Sequence, residues 1–201
     1  MMKGPLVFVD VDTQLDFMGP TGALPVPGAE AIVPNLRRLT EYARAHGVPV
    51  IATACAHTLD EPDPEPFPPH CLIGTAGQAR IDATAWPAGR VVRLGEDCDD
   101  ADLASEHLTI EKCRYDVFTS PSMGRVVAHH LGGSPTFVVY GVATDYCVKA
   151  AVLGLLERGA KVAVVVDAVR AVDPTAEAGV LAEFTAKGAL LVATDTVVSL
   201  Q

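Results

Sequence analysis

Six short apolar runs, rich in Val, Ile and Leu, recur along the chain, and their nearly continuous hydrophobicity predicts strands buried on both faces. The predicted strands cover residues 5–11, 48–53, 108–112, 136–142, 161–166 and 189–193. Between them the periodicity becomes helical, as where Ile32, Leu36, Leu39 and Ala43 recur every three or four residues. The predicted helices lie within 29–47, 122–133, 145–159 and 175–188, and each ends on a glycine, as expected just beyond a helix.

Alternating strands and helices are typical of right-handed crossovers in a parallel sheet. We therefore predict an α/β fold, a three-layer, doubly wound, mostly parallel sheet of about six strands with helices on both faces. The length of 201 residues fits a single domain, 1–201. Residues 54–107 interrupt the alternation, and the stretch EPDPEPFPP at 61–69 is incompatible with a regular helix or central strand. Loops this long in a compact domain are usually functional, so we expect 54–107 to be an active-site loop region.

The composition of the chain argues against two classes of partner, nucleic acids and membranes. A net charge of −10 and a pI near 4.9, with no basic stripe, argue against nucleic acid. No apolar run approaches the roughly 18–20 residues that span a bilayer, and the first residues lack a secretory signal pattern, so we expect a cytoplasmic protein with no membrane partner. The five cysteines are odd in number and lack CxxC spacing, which predicts free thiols: Cys55, Cys71, Cys98, Cys113 and Cys147.

Ligands of open α/β sheets bind at the carboxyl ends of the strands. Four segments with chemically capable side chains fall at such ends, namely Asp12, residues 53–57, Lys112 and Cys147. No glycine-rich phosphate loop follows a predicted strand, since GTAG at 74–77 lacks that context, and we expect no organic cofactor. The sequence therefore places a candidate site on one rim of the sheet.

Cys147 falls in the first turn of a predicted helix, where the helix dipole and unpaired N–H groups favour a thiolate. On position alone two interpretations stay open. The thiol is either a nucleophile, with Thr144 or Asp145 capping the helix, or a packed cysteine, because free cysteines are often buried.

Asp12 and Lys112 give this thiol the partners that nucleophilic catalysis requires. A carboxylate can take the thiol proton, while an ammonium holds the carboxylate and stabilises developing charge. Taken singly, Asp12 could instead cap a loop and Lys112 could end a solvated strand.

Three separated segments resemble the isochorismatase-like cysteine hydrolases. They are DTQLDF at 12–17, EKCRYDVF at 111–118 and GVATDYCV at 141–148, in the family's order and over nearly the whole chain. A fourth, FPPHCLIGTAG at 67–77, is similar to a stretch typical of the nicotinamidases. The resemblance implies a homo-oligomer that hydrolyses a small planar amide, with nicotinamide as the favoured substrate.

The resemblance also implies a role for each matching residue. Cys147 would be the nucleophile, Asp12 the general base and acid, and Lys112 the third member of the triad. The backbone N–H groups of Ala143 and Cys147 would form the oxyanion hole, with a cis peptide between Val142 and Ala143. The implied substrate pocket contains four aromatic residues: Phe17, Phe67, Tyr115 and Tyr146.

A divalent metal is the point at which the chain departs from the nicotinamidase pattern. His57 and His70 stand at ligand positions, and Asp63 is near the acidic position, but Cys55 replaces the Asp of the Asp-x-His pair. Cysteine ligates zinc, so Cys55, His57, Asp63 and His70 could form a mixed tetrahedral site that favours Zn. Equally, the lost Asp could mean a lost metal, as in branches of the family that work without one.

Asp10 precedes Asp12 by two residues, which places both carboxylates on one side of the strand. It could raise the proton affinity of Asp12 or pair with a helix residue, and the sequence does not choose. Two other functions also stay open: a metal-independent hydrolase of another amide, ureido or carbamoyl compound, and a binding module that keeps the fold without catalysis.

Overall fold

The computed structural model describes residues 4–61 and 66–200. In these ranges seven strands form one sheet in the order β3-β4-β2-β1-β5-β6-β7, and every neighbouring pair is parallel. The strands are β1 Leu6–Val11, β2 Val50–Cys55, β3 Arg90–Val92, β4 His107–Lys112, β5 Thr136–Val142, β6 Lys161–Arg170 and β7 Leu190–Val192. The helices are α1 Leu15–Met18, α2 Ala29–His46, α3 Asp100–Leu103, α4 Pro121–Leu131, α5 Cys147–Glu157, α6 Glu177–Ala186 and α7 Thr194–Val198.

The predicted three-layer α/β fold is confirmed, with one more strand than expected. The extra strand, β3, lies inside 54–107, which the sequence assigned to a loop, and pairs with β4 at the sheet edge. It has three residues, of which only Val92 is buried, so it leaves no hydrophobic pattern to detect. The last strands also differ in length: β6 continues past residue 166 to Arg170.

Two apolar clusters fill the space on either side of the sheet. One includes Val127 of α4 and Val148 and Leu155 of α5, and the other includes Ile32 and Leu36 of α2, all fully buried. The central strands β1, β2, β4 and β5 contribute side chains that are almost all buried. Apolar residues on both faces of a parallel strand account for the continuous hydrophobic runs in the sequence.

Three of the four predicted glycine helix ends are left-handed, with φ of 61° at Gly47, 76° at Gly159 and 101° at Gly188. The prediction for α4 is wrong: Gly133, which ends the predicted range, is not left-handed, the C-cap residue Gly132 has φ −56°, and Ser134 takes the left-handed position with φ 49°. In the described part of the chain, no helix is both long and apolar enough to cross a membrane.

Candidate active site

The carboxyl ends of β1 and β4 and the start of α5 bring together the three residues that the sequence proposed as a triad. Asp12 follows β1 directly, Lys112 ends β4 and Cys147 begins α5. The Lys112 Nζ atom is 2.8 Å from Oδ2 of Asp12 and 3.4 Å from Sγ of Cys147. All three residues are buried. The ammonium thus lies between the carboxylate and the thiol.

Asp12 is held in an unusual position by its neighbours. Its φ of 49° is left-handed, which is uncommon for a residue with a side chain. Its Oδ1 accepts a 2.5 Å hydrogen bond from Oγ1 of Thr53 on β2, while its N–H donates to the Thr53 carbonyl. Burial raises the pKa of Asp12, and negative charge at Cys55 adds to this, while Lys112 acts in the opposite direction. A carboxylate with a raised pKa is a better proton acceptor.

Lys112 remains a cation despite full burial. Burial opposes its charge, but Asp12 and the sulfurs of Cys147 and Cys55 outweigh that effect and raise its pKa well above the usual value. The ammonium is therefore a fixed positive charge at the base of the site.

Strands β1 and β5 pack so closely at residue 141 that only a glycine fits there. Gly141 has φ 114°, and a Cβ there would lie 2.0 Å from the Val11 carbonyl oxygen. The next peptide, between Val142 and Ala143, is cis, as the resemblance implied.

Cys147 begins its helix as predicted, but the expected caps are absent from that end. Tyr146 occupies the N-cap position and makes no side-chain cap hydrogen bond. The Asp145 carboxylate instead accepts the N–H groups of Val172 and Asp173, and Thr144 Oγ1 donates to Glu177. Both side chains therefore bind residues that follow β6 and not the start of α5. The prediction that Thr144 or Asp145 caps α5 was wrong.

Cys55, at the end of β2, lies against the same three residues. Its Sγ is 3.2 Å from Lys112 Nζ and 3.7 Å from Asp12 Oδ2. Its sulfur is within 4.8 Å of the Cys147 sulfur. The sequence did not predict this contact. The parallel register pairs Cys55 with Lys112, but that register can be read only once β2 and β4 are known to be neighbours.

The interaction between the Cys55 and Cys147 sulfurs shifts their pKa values in opposite directions. Hydrogen bonding between them, aided by Lys112, holds the pKa of Cys55 well below its usual range. The same hydrogen bond, together with burial, raises the pKa of Cys147 well above it. The shared hydrogen bond thus favours ionisation of Cys55 over Cys147, contrary to the thiolate expected at Cys147 from its place in the first turn of α5.

Gln14 fixes the backbone at Cys55. Its side-chain nitrogen donates to the Cys55 carbonyl at 2.8 Å, and its side-chain oxygen accepts the Cys55 N–H at 2.7 Å. This double contact locks the end of β2 to the segment after β1. Gln14 belongs to the DTQLDF segment, but no local pattern predicted this role for it.

An aromatic cavity opens directly onto the two sulfurs. All four predicted aromatic residues line it, with Cys55, Cys147, Ala143 and His70, and sequence analysis missed three apolar members: Leu24, Val26 and Val172. The Phe67 and Tyr146 rings are 5.2 Å apart, and the Tyr115 and Tyr146 rings 5.1 Å. The cavity volume is about 20 Å³, roughly the space that one water molecule needs. A ring-sized ligand therefore requires these aromatic side chains to move apart.

Three of the four proposed metal ligands converge beside the cavity. Ligand atoms of Cys55, His57 and His70 lie within 4.8 Å of one another, and all three residues are buried. Asp63, the fourth, lies outside the described residues. Two imidazoles and a thiol are a donor set that zinc accepts.

The histidine contacts fit a metal. His57 Nδ1 is 2.7 Å from a Glu61 carboxylate oxygen, and His70 Nδ1 is 2.8 Å from the Pro68 carbonyl. Within the described ranges, the buried Nε2 of His57 has no hydrogen-bond partner. A carboxylate or carbonyl behind each ring is the usual support for a metal-binding histidine. Glu61, which sequence analysis missed, follows His57 by four residues.

Asp10 has its charged partner in the loop region. It forms a buried ion pair with Arg80, whose guanidinium also donates to Thr13 Oγ1 at 2.7 Å and the Thr53 carbonyl at 3.2 Å. Arg80 lies in the loop region and not on a helix, so the expected pairing of Asp10 with a helix residue was wrong. Burial raises the pKa of Asp10, and Arg80 acts in the opposite direction.

Known proteins with similar sequences and structures support the fold described above. The chain matches the isochorismatase domain model over residues 6–196. It is 30% identical to the nicotinamidase of Escherichia coli (strain K12) over 93% of this chain and 94% of that protein.

Two solved structures have similar folds. The zinc complex of a pyrazinamidase from Pyrococcus horikoshii is 26% identical, covering 94% of this chain and 98% of that one, with a TM-score of 0.75. An N-carbamoylsarcosine amidase from Thermoplasma acidophilum is also 26% identical, covering 95% and 97%, with a TM-score of 0.76. With the family match over nearly its full length, the chain belongs to the isochorismatase family of hydrolases, in its nicotinamidase-like branch.

Proposed function

We propose that the protein is an amidohydrolase that converts nicotinamide to nicotinate and ammonia through a thioester on Cys147. The observation that carries the proposal is the position of the Lys112 ammonium, within 3.4 Å of both the Asp12 carboxylate and the Cys147 sulfur. An aromatic cavity, whose rings would have to move apart to admit a planar ligand, opens onto that sulfur. Likeness to the Escherichia coli nicotinamidase supports this choice of substrate.

The first half of the reaction forms the thioester. Asp12 accepts the Cys147 proton as the sulfur attacks the carboxamide carbon, and the oxygen becomes an oxyanion facing the N–H groups of Ala143 and Cys147. Each such donor contributes about 3 kcal/mol to lowering the barrier. Asp12 then gives its proton to the nitrogen, the C–N bond breaks and ammonia leaves.

The second half regenerates the thiol. Asp12 takes a proton from water, the resulting hydroxide attacks the thioester carbon, and the C–S bond breaks as Asp12 returns that proton to the Cys147 sulfur. The carboxylic acid product loses its own proton to solvent and leaves as the carboxylate. Lys112 keeps its charge throughout and stabilises Asp12 whenever that carboxylate is ionised. The raised pKa of Asp12 suits a group that must accept and return a proton in each half.

Cys55, His57 and His70 would hold a zinc ion at the cavity wall, with Glu61 supporting His57. The ion would supply a Lewis acid for the pyridine nitrogen and so orient the ring. Phe17 and Phe67, on the same wall as His70, would enclose the ring faces: the Phe17 ring is 5.2 Å from the His70 ring.

A second candidate is a metal-independent hydrolase of a ureido or carbamoyl amide. Cys55 favours it, because its sulfur contacts Lys112 and Asp12 and is thus already engaged by the triad. Likeness to the N-carbamoylsarcosine amidase points the same way.

Ammonia release across a substrate panel separates the two candidates. Nicotinamide, pyrazinamide, an N-carbamoyl amino acid and maleamate would be compared as kcat/KM with the same protein sample. We expect nicotinamide to give the highest value. A carbamoyl compound turned over at least tenfold better would favour the second candidate, and no turnover of any amide would refute both.

A further inference from the structure

Cys55 and Cys147 are the only pair of the five cysteines that the described residues bring into one cluster of ligand-type atoms. Both sulfurs accept a hydrogen bond from Lys112 Nζ, at 3.2 and 3.4 Å, and they lie within 4.8 Å of each other. A disulfide needs an S–S distance near 2.05 Å, so the two sulfurs would have to move ~3 Å closer at most.

The cavity gives a small oxidant access to both sulfurs. Cys55 and Cys147 both line it, and its volume of about 20 Å³ admits a molecule the size of water. Hydrogen peroxide is little larger than water, whereas a ring-sized substrate needs the aromatic walls to move.

Two of the other thiols, Cys71 and Cys98, are placed less favourably for this reaction. Burial raises the pKa of Cys71 far above its usual range, and its sulfur faces the Gly77 carbonyl at 4.0 Å. Cys98 lies in the apolar cluster beside α4, where its sulfur donates to the Ser122 carbonyl at 3.8 Å. Neither meets a second sulfur in the cavity.

We infer that Cys55 and Cys147 are a redox modification site, which a hydroperoxide converts to an intramolecular disulfide that blocks the nucleophile. One sulfur, as thiolate, attacks the peroxide: an S–O bond forms, the O–O bond breaks, and a first water leaves after protonation. The second sulfur then attacks the resulting sulfenic acid, forming the S–S bond as the S–O bond breaks and a second water leaves. Two electrons pass from the sulfurs to the peroxide, and the product is the same whichever sulfur reacts first.

Because the inference stands on the positions of two sulfurs, it does not depend on the substrate. Thiol counting under denaturing conditions and non-reducing peptide mapping test it on the purified chain after hydrogen peroxide treatment. We expect the free thiols to fall from five to three. A peptide containing both Cys55 and Cys147 should appear, and dithiothreitol should remove it and restore five thiols.

Two variants provide the comparison. Cys98→Ser should form the same linked peptide, because its sulfur is outside the cavity. Cys55→Ser should form none, and its Cys147 should instead gain oxygen atoms that dithiothreitol does not fully remove. If oxidised wild-type protein contains no Cys55–Cys147 peptide, or links either residue to Cys71 or Cys113 instead, the inference is wrong. That result would leave the amidase proposal untouched, since ammonia release by the reduced protein tests it separately.

Discussion

Lys112 Nζ and Asp12 Oδ2 lie 2.8 Å apart, and the two side chains are 1% and 0% exposed. A buried ion pair of this kind is not chiefly a source of stability, because desolvation of both charges offsets much of their attraction. Removing one partner is costly, since the other charge stays buried alone. The pair is therefore better explained by the chemistry it allows than by the fold.

Lys112→Met should damage stability and activity together. Asp12 would lose its counter-charge, so we expect the free energy of unfolding to fall by about 3–5 kcal/mol. The pKa of Asp12 should rise further, because Lys112 now acts to lower it. Urea unfolding and the pH profile of kcat/KM measure both effects.

Lys149→Met is the matched control for Lys112→Met. Lys149 pairs with Glu183 at 2.8 Å, but both side chains are 36% exposed. An exposed pair contributes at most about 1 kcal/mol. Equal losses in the two variants would contradict the assignment of Lys112 to a buried network.

The Asp10–Arg80 pair should show coupling between its two members. Asp10→Val alone leaves the Arg80 guanidinium, 12% exposed, without its partner, and should cost about 3–5 kcal/mol. The double variant Asp10→Val/Arg80→Met removes both charges and should recover most of that loss. A double-mutant cycle by urea unfolding measures the coupling, and additive effects would show that the pair is not a unit.

Acid stability should depend on His107, which begins β4 and stacks on Trp86 with ring centroids 5.0 Å apart. Burial, with a smaller effect of Arg80, lowers the pKa of His107 to about 3 from 6.5. Between these values the unfolded state binds more protons, so stability decreases as pH falls from 6.5 towards 3. The shift corresponds to at most about 5 kcal/mol.

His107→Leu should flatten that part of the stability curve, because the replacement cannot bind a proton. Its effect at pH 7 should be small or stabilising, since neither ring nitrogen finds a partner in the described ranges. Urea midpoints at several pH values give the slope. A variant as acid-sensitive as the wild type would show that other groups control acid unfolding.

Zinc content tests the proposed metal ligands without reference to activity. We expect elemental analysis of the zinc-treated, desalted protein to find about one zinc per chain, and far less in His70→Ala. His129→Ala is the control, because His129 lies exposed on α4. A metal-free wild type that is fully active in a chelator would favour the metal-independent candidate.

Sequence patterns were sufficient for elements whose signal is local. The runs of apolar residues predicted six of seven strands, because parallel strands covered on both faces need continuous hydrophobicity. They missed β3, whose three residues are mostly exposed. The rule that ligands bind at carboxyl ends of strands also gathered Asp12, Lys112 and Cys147 correctly, before any contact was known.

The contacts that the sequence did not predict join segments that are far apart in the chain. Cys55 contacts Lys112 because β2 and β4 are neighbours in register, although 57 positions separate them in the chain. Asp10 pairs with Arg80 from the loop region, 70 positions away. The predicted cap of α5 was wrong for the same reason, because the Asp145 carboxylate accepts backbone N–H groups 27 and 28 positions further along the chain. No local pattern records such partners.

The most direct test of the central claim is ammonia release from nicotinamide by Cys147→Ala, compared with the wild type and with Cys98→Ala. Circular dichroism and urea unfolding would establish that the variants fold. We predict that Cys147→Ala loses activity by about 10⁴-fold or more, as expected when a nucleophile is removed, while Cys98→Ala stays active. A folded Cys147→Ala protein that keeps a tenth or more of wild-type turnover would contradict the thioester mechanism.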